Sequence, residues 1–201
     1  MKNWKQVDGW FEEQNEIFFE DCISKLNNPK IFYEVGTWKG RSTCCMAQLI
    51  KRKNINAKLY GIDTFLGSDE DIHRSEINIL KSSNLTLLDV FKSNIKNCDV
   101  EDIIIPIVST GTEASKNVKD NSVDFIYLDA SHDYESIKED IETWLPKMKK
   151  GSIISGDDYV VCWPGVIRAV NEVFSKINKN VDIGGYANND NPVGTQWRVF
   201  L

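Results

Sequence analysis

The sequence predicts one α/β domain with a mostly parallel sheet, helices on both faces and a reversed last strand. Three observations lead there. Short apolar runs alternate along the chain with amphipathic segments at helical spacing. The first run is followed by a glycine turn, Gly36-Thr37-Trp38-Lys39-Gly40, that opens a helix. Several later runs end on acids, which puts carboxylates on the rim where open α/β sheets take ligands. At 201 residues and 41% hydrophobic content the chain supports one core, so residues 1–201 are read as a single domain.

Residues 4–26 carry Trp4, Val7, Trp10, Phe11, Ile17, Phe18, Ile23 and Leu26 among acids, a spacing for one or two amphipathic helices. Asn27-Asn28-Pro29 stops them. This 1–29 segment is expected to pack on the sheet, with part of it able to cover a ligand site. Ile31 to Val35 is the first strand, and Ser42 to Lys51 the helix after the glycine turn. Glu34 stands just before that turn, where a bound cation would be attracted. The spacing Gly36-x-x-x-Gly40 lacks the G-x-G-x-x-G that brings a backbone close to a pyrophosphate. Leu59 to Ile62 is the second strand and ends on Asp63. An acid there binds both hydroxyls of a ribose; the plainer alternative is a cap on the next turn.

Residues 64–100 are long and polar, with a helix expected around Leu85 to Ile95. A connection of this length at the ligand rim reads as a lid or substrate insertion. His73 and Arg74 lie in it, either solvated or within reach of a substrate. Ile103 to Val108 is the third strand, followed by Ser109-Thr110-Gly111-Thr112-Glu113 and a short helix. Val123 to Leu128 is a buried strand ending on Asp129, with a polar corner at His132 and Asp133. A helix from about Tyr134 to Lys149, a Lys-Gly turn and a strand from Ser152 to Ser155 lead to Asp157 and Asp158. Trp163-Pro164-Gly165 opens a helix over Val166 to Phe174. Val181 to Ile183 and Gln196 to Leu201 form a terminal hairpin around Gly184-Gly185 and Asn188 to Pro192, which brings the strands to seven.

A net charge of −6 and a pI near 5.0 argue against a nucleic-acid binder that neutralises phosphates. No apolar run approaches the length of a membrane span. The N-terminus is too acidic for a signal peptide. Five cysteines, an odd number with no C-x-x-C pair, read as reduced thiols of a cytoplasmic protein rather than a disulfide or zinc framework. A catalytic cysteine lacks an obviously paired histidine. A homo-oligomer is left open.

EVGTWKGRST (34–43), YGIDTF (60–65), VDFIYLDASHDYESIKEDIETWLPKMKKGSIISGDDY (123–159) and WPGVIRAV (163–170) together resemble the class I S-adenosylmethionine-dependent methyltransferases. The nearest branch holds metal-dependent sugar and macrolide O-methyltransferases, with catechol O-methyltransferase more distant. The resemblance covers about Ile31 to Phe174 and implies a Rossmann-like sheet. It also implies that the loop with Glu34, Gly36, Thr37 and Gly40 holds the methionine part of S-adenosyl-L-methionine. Asp63 would bind the ribose, Thr110, Gly111 and Thr112 would lie near the adenine, and Asp129 would border the cofactor.

By the same resemblance Asp129, Asp157 and Asp158 would hold Mg2+, a hard cation that takes carboxylate oxygens. The alternative keeps Asp129 in the cofactor pocket and makes the Asp pair a cap before Tyr159. His132 stands at the spacing where catechol-type relatives carry a lysine base; its alternative is a structural histidine at a strand end. Asp133, Tyr134 and Tyr159 are the candidate substrate contacts. The implied reaction is methyl transfer to a hydroxyl of a sugar, glycan or glycosylated metabolite, with a catechol or phenol as the nearer alternative. An NAD-dependent oxidoreductase and a non-catalytic binding module are the rivals from other classes.

Overall fold

In a computed structural model, which describes residues 2–187 and 194–201, seven strands form one sheet in the order β3-β2-β1-β4-β5-β7-β6. The strands are β1 (Ile31–Val35), β2 (Lys58–Asp63), β3 (Ile104–Val108), β4 (Val123–Leu128), β5 (Met148–Gly156), β6 (Asp182–Gly184) and β7 (Gln196–Phe200). The first five pair in parallel, and β7 runs antiparallel to both β5 and β6. The expected seven strands with a reversed last one are present. The expected Asn188 to Pro192 part of the terminal hairpin lies outside the described residues.

The helices are α1 (Glu13–Ser24), α2 (Arg41–Arg52), α3 (Asp71–Ser82), α4 (Leu87–Asn97), α5 (Gly111–Ser115), α6 (Tyr134–Trp144) and α7 (Pro164–Lys176). Side chains alternate across a strand, so one sheet serves two cores. Phe32, Phe125, Tyr127 and Ile153 face α1, α2 and α4. Tyr33, Val35, Ile126, Leu128 and Ile154 face α6 and α7. All six residues of β4 are buried; five are apolar or aromatic, and Asp124 accepts from the Lys30 and Ile31 amides.

Two boundaries differ from expectation. Helix α6 ends at Trp144, not near Lys149, because Pro146 has no amide N–H to donate to the carbonyl four residues back, and a 3-10 turn follows over Leu145–Lys147. Strand β5 begins at Met148, before the Lys-Gly turn. Val123 pairs with Met148 but Phe125 with Ile153, so the Lys149–Gly151 kink is a bulge inside the strand. The insertion at 64–100 holds two helices, and α3 had no counterpart in the sequence reading. The expected second helix is α4, opened by a reciprocal cap between Thr86 and Asp89.

Candidate active site

Chain order reverses between β1 and β4, which makes the space beyond their carboxyl ends the switch-point crevice. Gly36 turns there with φ of +89°, and a Cβ on it would lie 2.0 Å from the carbonyl oxygen of Asp129. Only glycine lets the loop after β1 approach β4 this closely. Gly40, at φ +88°, closes the loop against Phe91 and starts α2.

Glu34 is fully buried behind this loop. Ser42 donates a hydrogen bond to its Oε1, while Oε2 has no partner. Burial raises its carboxyl to about 7, against a weaker opposing pull from the Ser42 hydroxyl. Thr37 is buried in the loop itself.

Asp63 ties the two neighbouring turns together. Its Oδ2 accepts from the Thr37 and Trp38 amides at 2.9 and 2.8 Å, and its Oδ1 from the Phe65 amide at 2.7 Å. The turn-cap alternative thus has three bonds in this structure, and the lone pairs left over are what a ribose could use. Burial pushes its pKa up although the amides pull the other way.

Beyond β3, Thr110 caps α5 by accepting from the Glu113 amide at 3.2 Å. Gly111 is pressed between Val35 and Asp140, where a Cβ would lie 2.7 and 2.6 Å from them. Burial raises the carboxyl of the buried Asp140 to about 6, against a weaker opposing pull from Thr112.

The acid-ended strands β4 and β5 form the second half of the site. Asp129, Asp157 and Asp158 repel one another there. Burial, then Asp157 and Asp158, holds Asp129 well above the usual carboxylate range. Burial and Asp158 raise Asp157 to about 6. Asp157 is held at both oxygens: Oδ1 accepts from the Asp158 amide at 2.9 Å and Oδ2 from the Tyr127 hydroxyl at 2.8 Å. Tyr127 is fully buried and accepts from Gln196 Nε2 at 2.7 Å.

Asp158 has a left-handed backbone, φ +61°, and its Oδ2 lies 2.9 Å from His132 Nε2. That contact raises the His132 pKa. The His132 ring stacks on Trp163, centroids 4.1 Å apart at 19°, and its Nδ1 is 3.3 Å from Glu70.

The structure therefore gathers Asp129, His132, Asp157 and Asp158 at one corner beside the loop that carries Gly36. It turns the three candidate substrate residues elsewhere. Asp133 caps α6 by accepting from the Ser136 amide at 3.0 Å. The Tyr134 hydroxyl donates to Glu172 at 2.7 Å, with Arg168 over its ring, and the Tyr159 hydroxyl bonds Asn171. Tyr127, Trp163 and Glu70 escaped the sequence reading. Tyr127 alone left a signal, being a hydroxyl two residues before Asp129, on the opposite face from Ile126 and Leu128.

Among the described residues no group of three or more His, Cys, Asp or Glu side chains is arranged to hold a metal ion as it stands. No helix among them is long and apolar enough to cross a membrane. A hollow of about 430 Å³ lined by Ile23, Leu26, Lys30 and Lys53 lies at the opposite, amino-terminal end of the strands, away from every group described above.

A family model described as "Methyltransferase domain" matches residues 33–159, from within β1 to the residue after the Asp pair. The chain belongs to this methyltransferase family. Like the family it uses S-adenosylmethionine. An uncharacterized protein of Acanthamoeba polyphaga mimivirus is 29% identical over 174 residues, 81% of this methyltransferase and 70% of the relative. An uncharacterized protein of Sinorhizobium fredii is 25% identical over 127 residues, 63% of this chain but 13% of its own length.

Solved structures share the fold at low identity. The O-methyltransferase NovP superposes with a TM-score of 0.68 at 14% identity, covering 92% of this chain and 78% of its own. A TDP-rhamnose 3'-O-methyltransferase of calicheamicin biosynthesis gives 0.57 at 18%, covering 92% and 77%. An rRNA methylase from Streptococcus thermophilus gives 0.60 at 12%, covering 95% and 96%.

Proposed function

We propose that this methyltransferase transfers the methyl group to a hydroxyl oxygen, with His132 as the base. The observation that carries the reading is the gathering of His132 with Asp129, Asp157 and Asp158 beside the cofactor loop. A hydroxyl is a weak nucleophile at neutral pH, so the site must remove its proton as the oxygen attacks. In the proposed step an oxygen–carbon bond forms in line with the breaking carbon–sulfur bond. The proton passes to His132 Nε2 once Asp158 has released that nitrogen unprotonated, and S-adenosylhomocysteine leaves with the sulfur electron pair.

Trp163 fixes the plane of the His132 ring by stacking, and Tyr127 with the Asp158 amide fixes Asp157. Most of the acceleration in this reading comes from holding the acceptor oxygen, His132 and the methyl carbon in line.

The donor set suits Mg2+. Three mutually repelling carboxylates, two of them with raised pKa values, are short of positive charge, and their oxygens are the hard ligands that cation takes. Asp129, Asp157 and Asp158 would hold it once Asp158 releases His132. When bound, such an ion lowers the pKa of a hydroxyl and neutralises charge at the corner.

A sugar, glycan or glycosylated metabolite is the acceptor class in this reading. Its support is the polar corner and the fold shared with a TDP-rhamnose 3'-O-methyltransferase. The five free cysteines fit a cytoplasmic enzyme. The experiment is His132→Ala assayed for transfer of labelled methyl to sugar nucleotides and phenols. Turnover falls by at least about a hundredfold if His132 is the base. Unchanged turnover on an accepted substrate removes the assignment.

A further inference from the structure

Helix α3, the part of the insertion that sequence patterns left blank, lies across the site and touches both of its halves. Glu70, just before α3, and His73 and Glu76 within it stand three residues apart and so share one face. Glu70 reaches His132. The His73 ring lies 4.3 Å from Trp38 and 5.4 Å from Trp10, centroid to centroid. Glu76 meets Lys39 Nζ at 2.7 Å.

Lys39 is the centre of this arrangement. It belongs to the loop between Gly36 and Gly40, its side chain is 9% exposed, and Asp8 of the N-terminal segment binds the same Nζ at 2.6 Å. Its carbonyl accepts from Asn94 of α4 at 2.9 Å. Three segments distant in sequence thus converge on one residue of the cofactor loop.

The three segments are not equally fixed. The N-terminal segment is bolted to α2, because Arg41 donates to the carbonyls of Lys5, Val7 and Phe11, and Trp4, Val7 and Phe11 are buried. Helix α3 has no fully buried residue: Ile77 and Leu80 are only partly buried against the core, and Ile72 and Ile79 face solvent. Gly67 (φ +79°) precedes it and Asn84 (φ +55°) follows it. A helix with so little burial opens locally at small cost, and the contacts of Glu70, His73 and Glu76 add to the partial packing of Ile77 and Leu80 in keeping it down.

We propose that Lys39 is a positioning residue that clasps α3 to the cofactor loop through Glu76, so that S-adenosylmethionine and its product exchange only when α3 lifts. Closure then orders the cofactor loop and brings Glu70 to His132 in one movement. The proposal rests on the family's cofactor and not on the acceptor chemistry, so the failure of either leaves the other standing.

The test is the release of S-adenosylhomocysteine from the full chain, followed by stopped-flow tryptophan fluorescence. Trp10 and Trp38 lie in the clasp and report on it. Glu76→Gln and Lys39→Met each speed release by about three- to tenfold, as expected for a partly buried ion pair with an exposed partner. The double variant is no faster than Lys39→Met, since both changes remove one interaction. Lys39→Arg keeps the rate within about twofold.

Amide exchange over residues 71–82 slows when the product binds, and Glu76→Gln abolishes that slowing while the melting temperature stays near wild type. A merely structural role would not give that pattern. Release rates within twofold of wild type in both single variants would overturn the clasp, as would additive effects in the double. If Lys39→Met does not fold, Glu76→Gln decides alone, because its side chain is one-third exposed and its loss leaves no cavity.

Discussion

Replacing Glu34 with glutamine should make the protein more stable at neutral and alkaline pH. The carboxyl has no solvent exposure, one hydroxyl donor in Ser42 and an orphan Oε2, so ionisation is costly where it sits. Burial raises its pKa from 4.5 to about 7. A folded-state pKa above the unfolded value means the folded chain binds the extra proton. Its stabilising effect is complete below pH 4.5 and is lost as pH rises through 7. The rise corresponds to about 3 kcal/mol at most, or roughly 6–12 °C in melting temperature for a chain of this size.

Glutamine removes the charge and keeps an acceptor for Ser42, and its amide can donate to the unpartnered Thr43 hydroxyl. The assay is urea unfolding of both proteins without cofactor from pH 4.5 to 8.5. Both proteins should lose stability across that window, because Asp129, Asp157 and Asp140 also have raised pKa values, but Glu34→Gln should lose less and be the more stable at pH 8. Parallel curves would refute the reasoning, because they would mean the buried carboxyl keeps an ordinary pKa or is solvated by an opening of the loop.

Two further outcomes follow from the site. Asp63→Ala strands three amides, those of Thr37, Trp38 and Phe65, and should cost about 3–5 kcal/mol in urea unfolding as well as cofactor affinity. A loss under 1 kcal/mol would show that the carboxylate does not hold the loops. Asp157→Asn should weaken Mg2+ binding by at least about tenfold in calorimetry with the metal alone, with S-adenosylhomocysteine affinity preserved. Equal Mg2+ affinity in variant and wild type would remove the metal from the account.

The sheet was legible because its strands obey rules that sequence displays directly. Strand β4, buried on both faces, is apolar apart from Asp124 and the Tyr127 hydroxyl, and Gly36 and Gly40 mark turns whose positive φ favours glycine. The acids at the ends of β2, β4 and β5 were legible as rim residues for the same reason. What they bond was not. Asp63 answers to backbone amides, which leave no mark in a sequence, and the pairing of Asp158 with His132 depends on a left-handed backbone at a non-glycine residue. Helix α3 was missed because it fully buries no residue and its N-cap makes no side-chain bond; it is held by an ion pair, a tilted ring contact and the partial packing of Ile77 and Leu80. The Lys149–Gly151 bulge looked like a turn because a Lys-Gly pair at a kink reads the same whether or not strand pairing continues through it.

The most direct measurement is transfer of labelled methyl from S-adenosylmethionine to a panel of sugar nucleotides and phenols, by wild type and by His132→Ala, with product affinity measured in parallel. Wild type should give an oxygen-linked methyl product. His132→Ala should lose turnover while binding S-adenosylhomocysteine within about threefold of wild type. A variant that turns over an accepted substrate as fast as wild type, or a wild-type product methylated on nitrogen or carbon, would contradict this reading.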